Sequence, residues 1–150
     1  VKGCKEFIRD LIRKHKGSFE SDWGNQISEF GVYGKTVQTF VYAADTKKRY
    51  VHIYYNAAKA AGERSRLEED IREMQNYLAR FQDTEHEFGP MFHKYFHMHY
   101  NKETGHFVYG EPNLPVIREE LDLCGYFAII SSDKMEAKDA IGLYKNRDVS

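Results

Sequence analysis

Gly125-Tyr126-Phe127-Ala128-Ile129-Ile130-Ser131-Ser132 is the most apolar run in this chain of 150 residues. Aromatic and branched residues fill it, a glycine opens it and two hydroxyl residues close it, which is the composition of a buried strand. The run falls far short of the roughly 18 apolar residues that a membrane-spanning helix needs, and no other run in the chain comes closer. Downstream, Ser131, Ser132 and Asp133 offer N-caps for a helix with Glu136 one turn inside and Ala137, Ala140, Ile141 and Tyr144 on one face. That helix receives no Gly or Pro after Gly142, so the sequence reaches Ser150 in mid-pattern.

Working outward, Val116 to Leu123 reads as a short helix that follows a turn bracketed by Pro112 and Pro115. Before it, Tyr95 to Tyr100 and His106 to Tyr109 flank Asn101-Lys102-Glu103-Thr104-Gly105, the pattern of a β-hairpin. Leu67, Ile71, Met74, Leu78 and Phe81 recur at helical spacing over a polar background, and Ala57 to Ala61 extend that helix towards its start. Asp83 to Glu87 with Gly89-Pro90 read as a loop. A second hairpin is expected from Lys35 to Ala43 and Arg49 to Tyr55, joined through Asp45-Thr46-Lys47-Lys48. At the amino terminus Cys4, Phe7, Ile8, Leu11, Ile12 and His15 form one helical stripe, and Gly17-Ser18 is its expected stop. The fold class is therefore α+β: antiparallel β-hairpins and the Gly125 strand, packed with three to four helices in a single compact segment.

The near-neutral total hides an uneven distribution. Residues 1–66 carry 13 Lys or Arg against 7 Asp or Glu, whereas residues 67–150 carry 9 against 16. The basic half is where a polyanion would bind. Within it, Lys35, Tyr42, Lys47, Lys48, Arg49, Tyr50, Tyr54 and Tyr55 mix cations that suit phosphates with rings that can stack on bases, against the plainer reading, which composition alone favours, of a tyrosine-rich sheet with an ordinary charged turn. Cys4 and Cys124 stand far apart without a CxxC pair and read as reduced thiols. His93, His97, His99 and His106 cluster; His97 and His99 would share a strand face, and His106 opposite them would complete a metal site, against the plainer reading of polar positions on a half-exposed strand. There is no GxGxxG, P-loop, HExxH or GxSxG, and no self-contained active site is legible.

The terminal strand, followed by Tyr144-Lys145-Asn146-Arg147-Asp148, resembles the carboxy-terminal part of the IS4-type DDE transposases, close to the IS1634-like branch. In that family a G-x-F-x-I-x-S/T strand precedes a helix with a Tyr-x2-Arg-x3-Glu-x6-Lys signature. Tyr144 and Arg147 match its first two positions, and its glutamate would fall one residue beyond Ser150. The Val32-Tyr33-Gly34-Lys35-Thr36-Val37 stretch, the Arg49 to Tyr55 strand and the helix after it also look like the family's insertion region. The resemblance implies an RNase H-like parent in which two aspartates and a glutamate hold Mg²⁺ or Mn²⁺ for DNA cleavage and strand transfer. This chain would be the insertion region between the second aspartate and the glutamate.

On that reading the chain contains no catalytic residue and no metal ligand, and by itself neither cuts DNA nor needs a cofactor. Tyr144, Arg147, Lys35, Lys47, Lys48 and Arg49 are the expected DNA contacts, with transposon ends as the partner. Tyr144 also continues the apolar stripe of its helix and could instead be core. The implied setting is the bacterial or archaeal cytoplasm, with no membrane association and an oligomeric parent. The lack of an initiator methionine and the uncapped last helix fit a piece of a larger enzyme. The rivals are a stand-alone nucleic-acid-binding or protein-interaction module and a His-dependent metalloenzyme.

Overall fold

A computed structural model describes residues 2–20 and 22–149, with side chains for 5–18, 20 and 22–146. The chain forms two compact units: residues 1–60 with 125–150, and residues 61–124.

The first unit is built on a four-stranded antiparallel sheet. Its strands are β1 (Gln26–Ile27), β2 (Val32–Thr39), β3 (Arg49–Tyr55) and β6 (Tyr126–Ser131), in the order β1-β2-β3-β6. β3 is central, and Val51, Ile53 and Tyr54 on it are fully buried. Such side chains each contribute about 1.5–3 kcal/mol when removed from water. Register sets Thr36 opposite His52 and His52 opposite Ile129, so alternate residues of three strands share a face. On that face lies helix α5 (Ala137–Val149), whose Ala137 and Ile141 pack with Tyr54, Ile27 and Val32. The Tyr54 hydroxyl donates to the Ala137 carbonyl at 2.6 Å. Helix α1 (Lys2–Phe19) serves the opposite face, where Lys35 Nζ donates to Ser18 Oγ at 3.3 Å and the Tyr126 hydroxyl donates to Glu20.

The second unit contains most of helix α2 (Ala57–Arg80), α3 (Pro90–Tyr95), the hairpin β4 (Phe96–Tyr100) and β5 (Phe107–Pro112), and α4 (Leu114–Asp122). Ile71, Leu78, Phe88, Tyr95, Phe96 and Phe107 form its core. Around it the Phe88 and Phe107 rings meet edge to face at 4.8 Å, and His86 stacks on Phe81 at 3.9 Å.

The chain leaves the first unit and rejoins it at one point. Asn56 N–H donates to the Gly125 carbonyl at 2.8 Å. Gly125 has φ +87°, and a Cβ there would lie 2.6 Å from Ala60 Cβ and 2.9 Å from Asn56 O. Both the backbone angle and the lack of room require glycine.

The α+β class holds, with five α-helices among the described residues. The additional one, α3, starts at Pro90, read in sequence as loop; the proline occupies the first turn, where its missing N–H costs nothing. α1 runs past Gly17, because a single glycine weakens a helix without ending it. α5 begins at Ala137 rather than just after Ser131–Asp133, since Ser131 Oγ is spent on the Asp133 carbonyl at 3.0 Å.

Candidate nucleic-acid interface

The connection between β2 and β3, residues 40–48, lays cations on aromatic rings. Lys48 Nζ sits 6.0 Å from the Phe40 ring centroid, and the Arg49 guanidinium carbon 4.8 Å from that of Tyr42. Asp45 organises this loop. Its carboxylate accepts from the backbone N–H groups of Val41 and Tyr42 at 3.2 and 3.0 Å and from Arg49 Nε at 2.9 Å. The Arg49 bond, followed by that from Tyr42, holds the Asp45 carboxyl down at about 2, so it stays ionised.

Ala44 to Arg49 and Ser132 line one hollow of about 320 Å³. Arg49 and Ser132 also line a neighbouring one of about 530 Å³, completed by Ile129, Ser131, Met135, Ala140, Leu143 and Tyr144 among others. The β3–β6 register, which pairs Tyr50 with Ser131, carries Arg49 to the end of the sheet where β6 turns towards α5. Lys47, Lys48, Arg49 and Tyr144 are thereby collected around adjoining hollows. Tyr144 is 46% exposed, as is its neighbour Leu143 at 57%; the buried stripe of α5 ends at Ile141.

Other expected contacts fall elsewhere. Lys35 lies on the α1 side of the sheet with Ser18, near His15, whose pKa is lowered by burial and then by Lys35 and Lys14. The Arg147 side chain lies outside the described residues. Tyr54 is fully buried and bonded to Ala137, so it has no face for a base.

One polar network was not legible in the sequence. His52, fully buried, has Nδ1 2.8 Å from Thr36 Oγ1 and Nε2 2.9 Å from Ser131 Oγ. Ser131 gives its proton to the Asp133 carbonyl, so Ser131 accepts from His52 Nε2–H and Thr36 donates to Nδ1. All three groups are satisfied with a neutral imidazole, and burial lowers the His52 pKa. Although serine, histidine and threonine stand in line, in this tautomer His52 Nε2 carries the proton and does not accept one from Ser131, and the arrangement is a strut across three strands.

The histidines of the second unit do not face one another as the less favoured metal-site alternative requires. His97 pairs across the hairpin with Glu111 and His99 with Tyr109, on which it stacks at 4.3 Å. His106 lies at the turn, its carbonyl accepting from Asn101 N–H at 2.8 Å, rather than opposite His97 and His99. Among the described residues no three His, Cys, Asp or Glu side chains are grouped so as to hold a metal ion. Cys124 is a free thiol whose pKa burial pushes up. No helix among the described residues is long and apolar enough to cross a membrane.

No protein-family model, curated protein or solved structure matches the chain.

Charge follows the two units. Residues 1–60 with 125–150 hold 15 Lys or Arg against 10 Asp or Glu, and residues 61–124 hold 7 against 13. The hollows lined by Lys47, Lys48, Arg49 and Tyr144 belong to the cationic unit.

Proposed function

We propose that this chain is part of an insertion-sequence DDE transposase and that it holds the phosphate backbone of transposon-end DNA in the hollows around Lys47, Lys48, Arg49 and Tyr144. The observation that carries the reading is the gathering of the consecutive Lys47, Lys48 and Arg49 with Tyr144, distant in sequence, at one end of the sheet of the cationic unit. Lysine and arginine neutralise phosphates and release their counterions. The tyrosine offers a ring and a hydroxyl beside them.

The strand-to-helix passage from β6 to α5 supports the family reading, because it carries Tyr144 to the hollow on the helix where the resemblance requires it. The Mg²⁺ or Mn²⁺ of such enzymes would be held by carboxylates of the parent. The carboxylates described here do not fit that role, and no metal-dependent step is assigned to this chain. Its part is to position DNA, and alone it is expected to bind without cutting. The family reading further expects a glutamate immediately after Ser150 in the parent; any residue other than a carboxylate there overturns it.

The binding test is fluorescence anisotropy of a short labelled DNA duplex at several salt concentrations. Wild-type protein is expected to bind with a steep salt dependence, and the double variant Lys47→Ala, Lys48→Ala to lower the slope of log affinity against log salt by about 2. Absence of salt-dependent binding by the wild type refutes the DNA reading.

A further inference from the structure

We infer that Asp45 and Tyr42 are positioning residues which hold Arg49 as a fixed guanidinium fork for a phosphodiester. The inference rests on the DNA reading of the same hollows and deepens it by naming what is recognised there and which residues arrange the recognition.

An aspartate beside three cations is electrostatically unwelcome in a surface that binds a polyanion, and so its presence needs a reason. Asp45 is almost enclosed, with a side chain 7% exposed, while its Arg49 partner is 35% exposed. Two backbone N–H groups and Arg49 Nε–H converge on its carboxylate. These bonds engage only the Nε edge of the guanidinium. The two terminal Nη groups make no hydrogen bond to the described residues, and the Tyr42 ring lies against the same group at 4.8 Å. An arginine held this way has lost its rotational freedom before the ligand arrives. It can present two parallel N–H donors to a phosphate, a geometry a lysine ammonium cannot reproduce.

The chemistry predicts a sign that charge counting reverses. Asp45→Asn removes a negative charge next to the hollow, and long-range electrostatics alone would make DNA binding tighter. If Asp45 positions Arg49, the same substitution weakens it, since asparagine can still accept from Val41 and Tyr42 but holds the guanidinium poorly.

The experiment measures the affinity of the full 150-residue chain for a short fluorescein-labelled duplex of mixed sequence. Asp45→Asn and Arg49→Lys are each expected to bind about tenfold more weakly, Arg49→Lys despite its unchanged charge. In an Arg49→Ala background, Asp45→Asn is expected to tighten binding slightly, because only its electrostatic effect survives. A loop that had simply collapsed would not produce that reversal. Equal or tighter binding by Asp45→Asn alone, or wild-type affinity in Arg49→Lys, overturns the inference while leaving the DNA reading intact. A wild-type chain that does not bind the duplex overturns both.

Discussion

Gly125 is the residue on which the return of the chain to the first unit depends. Its φ of +87° disfavours any side chain, and the space a methyl group would need is taken by Ala60 and the Asn56 carbonyl. Gly125→Ala is expected to cost about 3 kcal/mol, read as a lower urea midpoint at unchanged m. His52 makes a different prediction. Its folded pKa lies below the ordinary 6.5, so the folded chain resists a proton that the unfolded chain accepts. The stability this contributes is present above 6.5 and is lost as pH falls below it, by up to about 1.4 kcal/mol per pH unit until His52 itself titrates. His15, shifted the same way, adds to the effect. Urea midpoints measured from about pH 7 down to about pH 5.5 are expected to fall, and His52→Gln to flatten the decline. A variant as steep as the wild type would show that His52 does not contribute.

Elements with a strong internal period were legible in the sequence. The strand expected at Arg49 to Tyr55 has those bounds, Tyr126 to Ile130 extends by one residue, and the Leu67 to Phe81 periodicity lies in α2 apart from its last residue. The strand expected at Lys35 to Ala43 is instead β2 at Val32–Thr39, since β2 also pairs with β1 through Val32 and Tyr33 while residues 40–48 form the loop around Asp45. Two other boundaries are misjudged where one residue type serves two purposes. Pro90 breaks a helix from inside and starts one from its first turn; Ser131 can cap a helix or bond the next loop. Of the candidate interface, Lys47, Lys48 and Arg49 could be read from one loop. Their meeting with Tyr144, and the Thr36–His52–Ser131 strut, depend on the register of strands far apart in sequence, which local pattern does not encode. Helix α2 carries a test of the second unit. Leu78, 4% exposed, packs in its core, and Leu78→Ala is expected to cost about 3 kcal/mol there. Hydrogen exchange should accelerate in α2, β4 and β5 while the amides of Val51 to Tyr54 keep their protection. Equal acceleration in β3 would show that the two units unfold as one.

For the whole molecule the informative quantity is the separation of charge between the units rather than the net value of -1. The 15 cations against 10 anions of the first unit would draw a polyanion to it, and the 7 against 13 of the second would repel one. Ultraviolet crosslinking to DNA, mapped by mass spectrometry, is expected to mark peptides containing residues 40–49 and 129–146 and to spare residues 61–124. Crosslinks concentrated in the second unit would place the DNA on the wrong surface.

The pairing of β3 with β6 also sets an order of events during synthesis. Tyr50 meets Ser131 and Tyr55 meets Tyr126, so the central strand of the first sheet waits for a partner that the ribosome makes only after the whole of residues 61–124. The second unit, contiguous in sequence, can mature while the first still has one side of β3 bare. During that interval the nascent chain carries an open, apolar strand edge, the kind of surface that chaperones shield and that aggregation exploits.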